Sequence, residues 1–396
     1  MIPISKAISM IRRETKTLGS ERVSIENSVG RILAEDIIAD DALPPFDRSQ
    51  MDGYAVVAAN TRNAPATLKI VGESAAGRGW HEKMKRGQAV RIMTGAPVPA
   101  GADAVQKIEL TKSDEKTVTI LAPVRKGNFI VRRGAEVRKG KKVIAKGERI
   151  TPENIAVLAA FGYAKVRVAK QPRVAIMSTG SEIVPVNGKP GRDQIRNSNS
   201  VMLDALCRGV GAVPAIVEQV RDDLTALKSK IKAQRSDILV ITGGVSVGKY
   251  DLTKLALQEL GAVIFFEKVR LRPGKPAVFA RLGKTLIFGL PGNPVSTAVT
   301  FHLFVQLAIA LMQASAESGL RNGQAVLSHD TRGAKERDTF LPASLITDDQ
   351  GHLVATPLKW IGSSDFIAYS RTEGLIFVPA GLTFKAGNLV EITFLN

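Results

Sequence analysis

The sequence predicts a multidomain α/β protein in which a central three-layer domain, residues 173–320, is flanked by β-rich segments. Three observations predict it. Between 173 and 315, apolar runs of strand length alternate with helix-length segments, the rhythm of a parallel sheet built from crossover units. Two of the runs, Val174-Ala175-Ile176-Met177 and Ile238-Leu239-Val240-Ile241, are apolar at every position, as strands covered on both faces are. At 396 residues the chain also exceeds what one core supports, so further domains are expected on either side.

Residues 5–20 predict a short helix, with Ala7, Ile8, Met10 and Ile11 among basic residues, and 21–40 a strand followed by a turn at Val29-Gly30-Arg31. Over 44–120 short β runs (Ala55–Ala58, Leu68–Val71, Ala89–Met93) alternate with Gly and Pro turns, predicting a small β-rich domain. Residues 125–149 hold ten basic residues against two acids, punctuated by glycines. They read as β-turns that form either a solvated edge or the wall of an anion site. Thr151, Pro152 and Gly162 mark the cap, first position and stop of a helix.

In the centre, strands are expected at Arg173–Ser178, Val213–Glu218, Asp237–Thr242, Val263–Val269, Ala277–Ala280 and Thr285–Phe288. Helices are expected at Ser198–Arg208, Asp222–Gln234, Asp251–Leu260 and Pro294–Met312. Beyond a polar linker near 314–324, short β runs with turns at Ala380-Gly381 and Ala386-Gly387 predict a C-terminal β domain.

Composition narrows the chemistry. One cysteine, Cys207, and four histidines argue against a disulfide framework and against a cysteine- or histidine-based metal centre; a metal, if used, would take oxygen ligands, hence Mg²⁺. The start, Met1-Ile2-Pro3-Ile4-Ser5, has no secretion signal. Pro294–Met312 approaches membrane length but carries Ser296, Thr297, Thr300, His302 and Gln306, which predicts a buried core helix in a cytoplasmic protein without membrane contact. The net charge of +18 favours anionic partners. With 5% aromatic residues and no stacking motif, small phosphorylated molecules are expected ahead of nucleic acid.

Ligands of an open parallel sheet collect beyond the carboxyl ends of its strands. Three turns are expected there: Ser178-Thr179-Gly180-Ser181-Glu182; Thr242-Gly243-Gly244-Val245-Ser246-Val247-Gly248, with Asp251 shortly after; and Gly289-Leu290-Pro291-Gly292-Asn293-Pro294-Val295-Ser296. Small residues let backbone N–H groups approach an anion, and Glu182 is placed to hold Mg²⁺. In the third, Asn293 is the expected N-cap of the helix that Pro294 opens. None of the turns has Gly-Lys followed by Ser or Thr, and G-x-G-x-x-G is absent from the first, which excludes a P-loop and a dinucleotide fingerprint. Arg270-Leu271-Arg272-Pro273-Gly274-Lys275-Pro276 sets three cations about a rigid turn suited to an oxyanion. Outside this domain, Pro44–Ala55, with Asp47 and Asp52, and Arg91–Pro97 read either as locally capped turns or as further ligands.

Together these segments resemble the molybdopterin molybdotransferase family of the MoeA type, which is similar to the E domain of gephyrin. The resemblance covers essentially the whole chain. It rests on PPFDRSQMDGYAV (44–56), RIMTGAPVPAGADAV (91–105), RRGAEV (132–137), STGSEI (178–183), NSNS (197–200), TGGVSVGKYD (242–251), RPGKP (272–276) and LPGNPVS (290–296). It implies a homodimer of elongated four-domain protomers. The domains would be residues 1–46 with 141–172, 47–140, 173–320 with the fold of the molybdopterin adenylyltransferase, and a barrel-like 321–396.

The implied reaction takes adenylylated molybdopterin and molybdate, with Mg²⁺, to molybdenum cofactor and AMP. Molybdopterin adenylyltransferase and recipient molybdoenzymes are the implied protein partners. Carried over by motif, Asp52, Thr94, Glu182 and Asp251 are catalytic, and Glu182, Asp251 and Glu136 hold the metal. Ser178, Thr179, Gly180, Gly243, Gly244, Ser246, Pro291 and Pro294 line the substrate site, while Arg272, Lys275 and Ser296 bind the oxyanion. Arg337 and Ser363 or Ser364 join from the C-terminal domain. Two positions depart from the family pattern: Lys249 stands where an acid is common, and Glu136 where Asp is usual. A non-catalytic scaffold on this fold is the competing reading; the retained acids and the basic turn favour catalysis.

Overall fold

In the computed structural model, which describes residues 1–217, 219–220, 223–244 and 252–395, the strand Arg173–Ser178 (β1) sends its side chains alternately into two cores. Val174 and Ile176 enter one, Ala175 and Met177 the other. Ile238–Thr242 (β3) does the same, Ile238 and Val240 opposite Leu239 and Ile241. The first core is closed by the helices Ile4–Glu14 (α1), Ser198–Gly209 (α2) and Pro294–Met312 (α5), the second by Leu224–Ala233 (α3) and Leu252–Glu259 (α4). This is the expected three-layer α/β/α domain.

With β2 (Val213–Ile216), β4 (Val263–Phe266), β5 (Val278–Leu282) and β6 (Thr285–Leu290), the strand order is β2-β1-β3-β6-β5-β4. The sheet is mixed where a parallel one is expected. β5 runs antiparallel to both neighbours, because only Gly283-Lys284 joins it to β6 and so short a link permits only a hairpin.

The N-terminal helix stops at Glu14, short of the expected residue 20. Its buried stripe of Ile4, Ala7 and Ile11 has no apolar successor at the next turn, and Thr15 returns its hydroxyl to the Ile11 carbonyl at 2.7 Å. The apolar helix α5 is long enough to cross a membrane, yet 78% of its most apolar window is buried inside the fold. It carries one π-helical turn, Phe301–Val305, between two α-helical stretches. Within that turn burial holds the His302 imidazole below its ordinary pKa, against the hydrogen bond that its Nδ1–H donates to the Gln306 side-chain oxygen at 2.9 Å. The unfolded chain binds this proton more readily, so stability is lost as pH falls through the ordinary histidine range. Thermal melts between pH 7 and 5 should show this loss, and His302→Gln should reduce it.

Beyond α5, strands Asn322–Leu327, Asp338–Thr347, Leu353–Pro357, Gly374–Val378 and Leu389–Phe394 close a five-stranded barrel, since the second also pairs with the fourth. Ala325, Leu327, Ala343, Ile376, Val390 and Ile392 fill it.

These elements belong to one compact unit, Met1–Glu35, Lys146–Thr151 and Lys165–Asn396; Asp36–Ala145 and Pro152–Ala164 form a second. The second unit holds a six-stranded, largely antiparallel sheet with Gln88–Ile92 and Ala66–Ser74 at its centre. Its two faces are buried by Tyr54, Val56 and Ile120 on one side and Ala55, Val90 and Ile92 on the other.

Candidate functional site

Three neighbouring parallel strands end at one level. Ser178 lies opposite Thr242, and Thr242 opposite Leu290. The chain leaves β1 for β2 on one side and returns to β3 on the other, so the turns after β1 and β3 flank the topological switch point of the sheet.

Hydrogen bonds lock the three turns together. The Thr179 N–H donates to the Thr242 carbonyl at 3.0 Å, and the Thr242 hydroxyl to the Pro291 carbonyl at 3.2 Å. The Asn199 amide donates both to the Gly292 carbonyl, 2.7 Å, and to the Thr242 hydroxyl, 3.2 Å. Gly243 and Gly244 are required: both have positive φ, and a Cβ on Gly243 would stand 2.4 Å from the Thr179 carbonyl oxygen.

The start of α2 joins this frame. Asn197 caps the helix by accepting the Ser200 N–H at 3.1 Å, and its amide donates to the Ser178 hydroxyl at 2.9 Å. Gln219 holds the outer side of the first turn by donating to the Gly180 and Ile183 carbonyls at 2.7 and 2.9 Å. Glu182 is exposed and makes no ion pair among the described residues; its carboxylate folds back over Gly180. Ser246, Lys249 and Asp251 lie outside the described residues.

The basic turn packs against α5. A Cβ on Gly274 would meet the Thr300 methyl at 2.6 Å, so only glycine lets the turn lie this close. Thr300 shares its helix face with Ser296, one turn earlier, and donates its hydroxyl to the Ser296 carbonyl at 2.7 Å. Leu271-Arg272 pairs with Asp338-Thr339, which brings Arg337 to the same edge as Arg270 and Arg272. Among the described residues, Arg272, Lys275 and Arg337 have no carboxylate partner; Arg272 and Lys275 are exposed, Arg337 half-buried and Ser296 buried.

The C-terminal domain reaches the opening of α5. The Val295 N–H donates to the Ser363 carbonyl at 3.0 Å, and the Asn293 amide to the Ser363 hydroxyl at 2.7 Å. Asn293 therefore occupies the N-cap position without capping through its side chain, contrary to expectation, because Ser363 draws the amide away. Ser364 is exposed beside it.

Asp52, Thr94 and Glu136 belong to the second unit. Asp52 accepts from the Thr94 N–H at 2.7 Å and from its hydroxyl at 3.1 Å, a pair on the surface. Asp47 receives the Arg133 N–H at 2.8 Å and Arg132 at 2.6 Å. Partial burial pushes its carboxyl up, and these two donors more than reverse this, leaving it below the usual carboxylate range. Glu136 faces Arg48 at 3.4 Å. Among the described residues no three His, Cys, Asp or Glu side chains gather as a metal cluster.

The sequence places Thr242 in the second turn but gives no site role to Asn197, Asn199 or Gln219; the local signal for the two asparagines is the NSNS motif that opens α2. Cys207 lies on the buried face of α2, where burial pushes its thiol up to about 12 and disfavours the thiolate.

Known proteins resemble the chain along its whole length. Residues 2–162 match the MoeA N-terminal region (domain I and II), 175–310 a probable molybdopterin binding domain, and 324–395 the MoeA C-terminal region (domain IV). A molybdopterin molybdenumtransferase of Bacillus subtilis (strain 168) is 35% identical, covering 100% of this chain and 94% of the relative. One from Staphylococcus aureus (strain COL) is 36% identical, over 99% and 95%. Among solved structures, a molybdopterin biosynthesis MoeA protein from Pyrococcus horikosii superposes with a TM-score of 0.83 at 32% identity, covering 100% of this chain and 99% of that one. A MoeA protein from Pyrococcus horikoshii OT3 reaches 0.86 at 29% identity, with both chains covered completely. The chain belongs to the MoeA family of molybdopterin molybdenumtransferases.

Proposed function

We propose that this enzyme inserts molybdenum into molybdopterin by taking adenylylated molybdopterin and molybdate to molybdenum cofactor and AMP, with Mg²⁺. The observation that carries the reading is the locked set of three turns at one level of the sheet, together with a basic turn packed on α5 whose cations have no carboxylate partner among the described residues. The relatives' shared name, molybdopterin molybdenumtransferase, supports the coarser part of the reading, transfer of molybdenum to molybdopterin.

Opening a phosphoanhydride calls for cations to offset charge and for an oriented leaving group more than for a strong nucleophile. The turns at Ser178–Gly180 and Gly243-Gly244 present backbone to a phosphorylated substrate. Arg272 offers a fork, Lys275 a compact charge and Ser296 a hydroxyl to the tetrahedral molybdate dianion, with Arg337 and Ser363 on the barrel side. Of the three acids carried over as metal ligands, Glu182 fits: it is exposed and makes no ion pair among the described residues. Glu136 fits poorly, its carboxylate being engaged by Arg48. Mg²⁺ is held by one or two carboxylates together with substrate phosphates, and there it would offset phosphoryl charge. We further propose that the protein works as a cytoplasmic homodimer, supplied by molybdopterin adenylyltransferase and delivering to recipient molybdoenzymes.

The deciding experiment mixes the protein with adenylylated molybdopterin, Mg²⁺ and molybdate. AMP release together with activation of a cofactor-free molybdoenzyme is expected, and failure of both would sink the reading. The surface charge of +18 adds a kinetic prediction. Raising salt from 50 to 500 mM should lower kcat/KM on the order of tenfold with little change in kcat, since steering of an anionic substrate is screened.

A further inference from the structure

Ten buried side-chain polar atoms among the described residues have no hydrogen-bond partner, and four of them belong to the frame of the crevice: Thr179 Oγ1, Asn199 Oδ1, Ser200 Oγ and Thr253 Oγ1. Buried polar groups are ordinarily paired, and an exception calls for a physical reason. Single orphan hydroxyls scattered through a core need none beyond imperfect packing; two from different segments that face one glycine do.

Thr179 and Thr253 come from different segments, the turn after β1 and the first turn of α4, and are 5% and 0% exposed. Both hydroxyls nonetheless face Gly244. A Cβ built there would lie 2.7 Å from Thr179 Oγ1 and 3.0 Å from Thr253 Oγ1. Neither hydroxyl bonds back to its own backbone, the usual outlet for threonine. An apolar isostere such as valine would fill the Thr253 site without an unsatisfied donor, so the hydroxyl is kept at a cost to the free protein.

We propose that Thr253 is a further substrate-binding residue of this site, its hydroxyl pairing with that of Thr179 across Gly244 to donate to a phosphoryl oxygen of the substrate. A phosphoryl oxygen fits because it accepts only, and two hydroxyls free of competing acceptors can both donate to it. The start of α4 adds N–H groups and a positive dipole end. The inference rests on the proposed reaction, whose substrate carries two sources of this chemistry, the adenylate and the phosphate of molybdopterin.

The test uses the full chain and three variants: Thr253→Val, Thr253→Ser and Thr179→Val. Melting temperature is measured, and AMP and molybdopterin are titrated separately. Thr253→Val should melt at or above the wild-type temperature, because it removes an unsatisfied buried hydroxyl. The same variant should bind one of the two ligands at least tenfold more weakly, Thr253→Ser should restore binding, and Thr179→Val should weaken the same ligand. Whichever ligand is affected identifies the phosphoryl group. A lower melting temperature with unchanged binding would make the hydroxyl structural and overturn the proposal, as would unchanged binding of both ligands. If the wild type binds neither AMP nor molybdopterin, the proposed reaction itself fails, a result distinct from a wild type that binds while the variants make no difference.

Discussion

Replacing Arg272 by alanine should lower AMP release with molybdate roughly 10²–10³-fold, about 2.7–4 kcal/mol of transition-state stabilisation, while leaving the melting temperature unchanged. The two halves of this expectation have separate grounds. Arg272 is exposed and has no carboxylate partner among the described residues, so its removal breaks no internal bond and stability should move by no more than about 0.5 kcal/mol. Its position, by contrast, is fixed on both sides. The preceding Leu271 is fully buried and paired with Asp338, and Gly274 holds the turn against Thr300, on the face of α5 that also carries Ser296. A cation held this firmly without an internal partner is available to an external anion. Arg272→Lys should recover only part of the rate, since a point charge cannot reproduce bidentate contact. Turnover of the alanine variant within about threefold of wild type would remove Arg272 from the oxyanion site.

Gly243→Ala should act through the fold instead. A Cβ would stand 2.4 Å from the Thr179 carbonyl oxygen, and the backbone already has a φ of 88°. The left-handed conformation costs an alanine about 1–2 kcal/mol, and forcing two backbones apart adds about 1–3 more. A loss of roughly 2–5 kcal/mol in denaturant unfolding should follow, together with loss of turnover, because the carbonyl that must move belongs to the first turn of the site. An equally stable variant would mean that the two turns are not in the close contact described.

Much of the fold was legible because burial on both faces leaves an unmistakable pattern. β1 spans Arg173–Ser178 as expected, one residue beyond its apolar run at either end. Strands whose ends answer to distant partners were harder to bound. The run expected to reach Val269 leaves the sheet at Phe266, and the Val269 N–H turns to the Lys275 carbonyl to form the basic turn. The glycine turns and the cationic turn of the candidate site could be read from residue type alone. The bonds that fix them could not: Asn199 reaches Gly292 across 93 positions, and Asn293 reaches Ser363 across 70. A side-chain amide that spans such separations has no periodicity and no local spacing to reveal it. Asn293 shows the cost of local reasoning, since a helix-opening Asn-Pro pair predicts a cap that a residue of the barrel domain supplies instead.

Because Ser178, Thr242 and Leu290 stop at one level, the crevice comes into being only when the three strands have found their register. A slip of one residue in any of them would displace its turn by about 3.3 Å and present the opposite set of side chains. Half-assembled chains therefore have nothing to offer a ligand, and a ligand bound at the finished crevice favours the native state alone. At a hundredfold excess over Kd that amounts to about 2.7 kcal/mol. Substrate supply is thus coupled to the lifetime of the protein: chains starved of ligand open more often, and protease digestion should cut them faster than the same chains loaded with it.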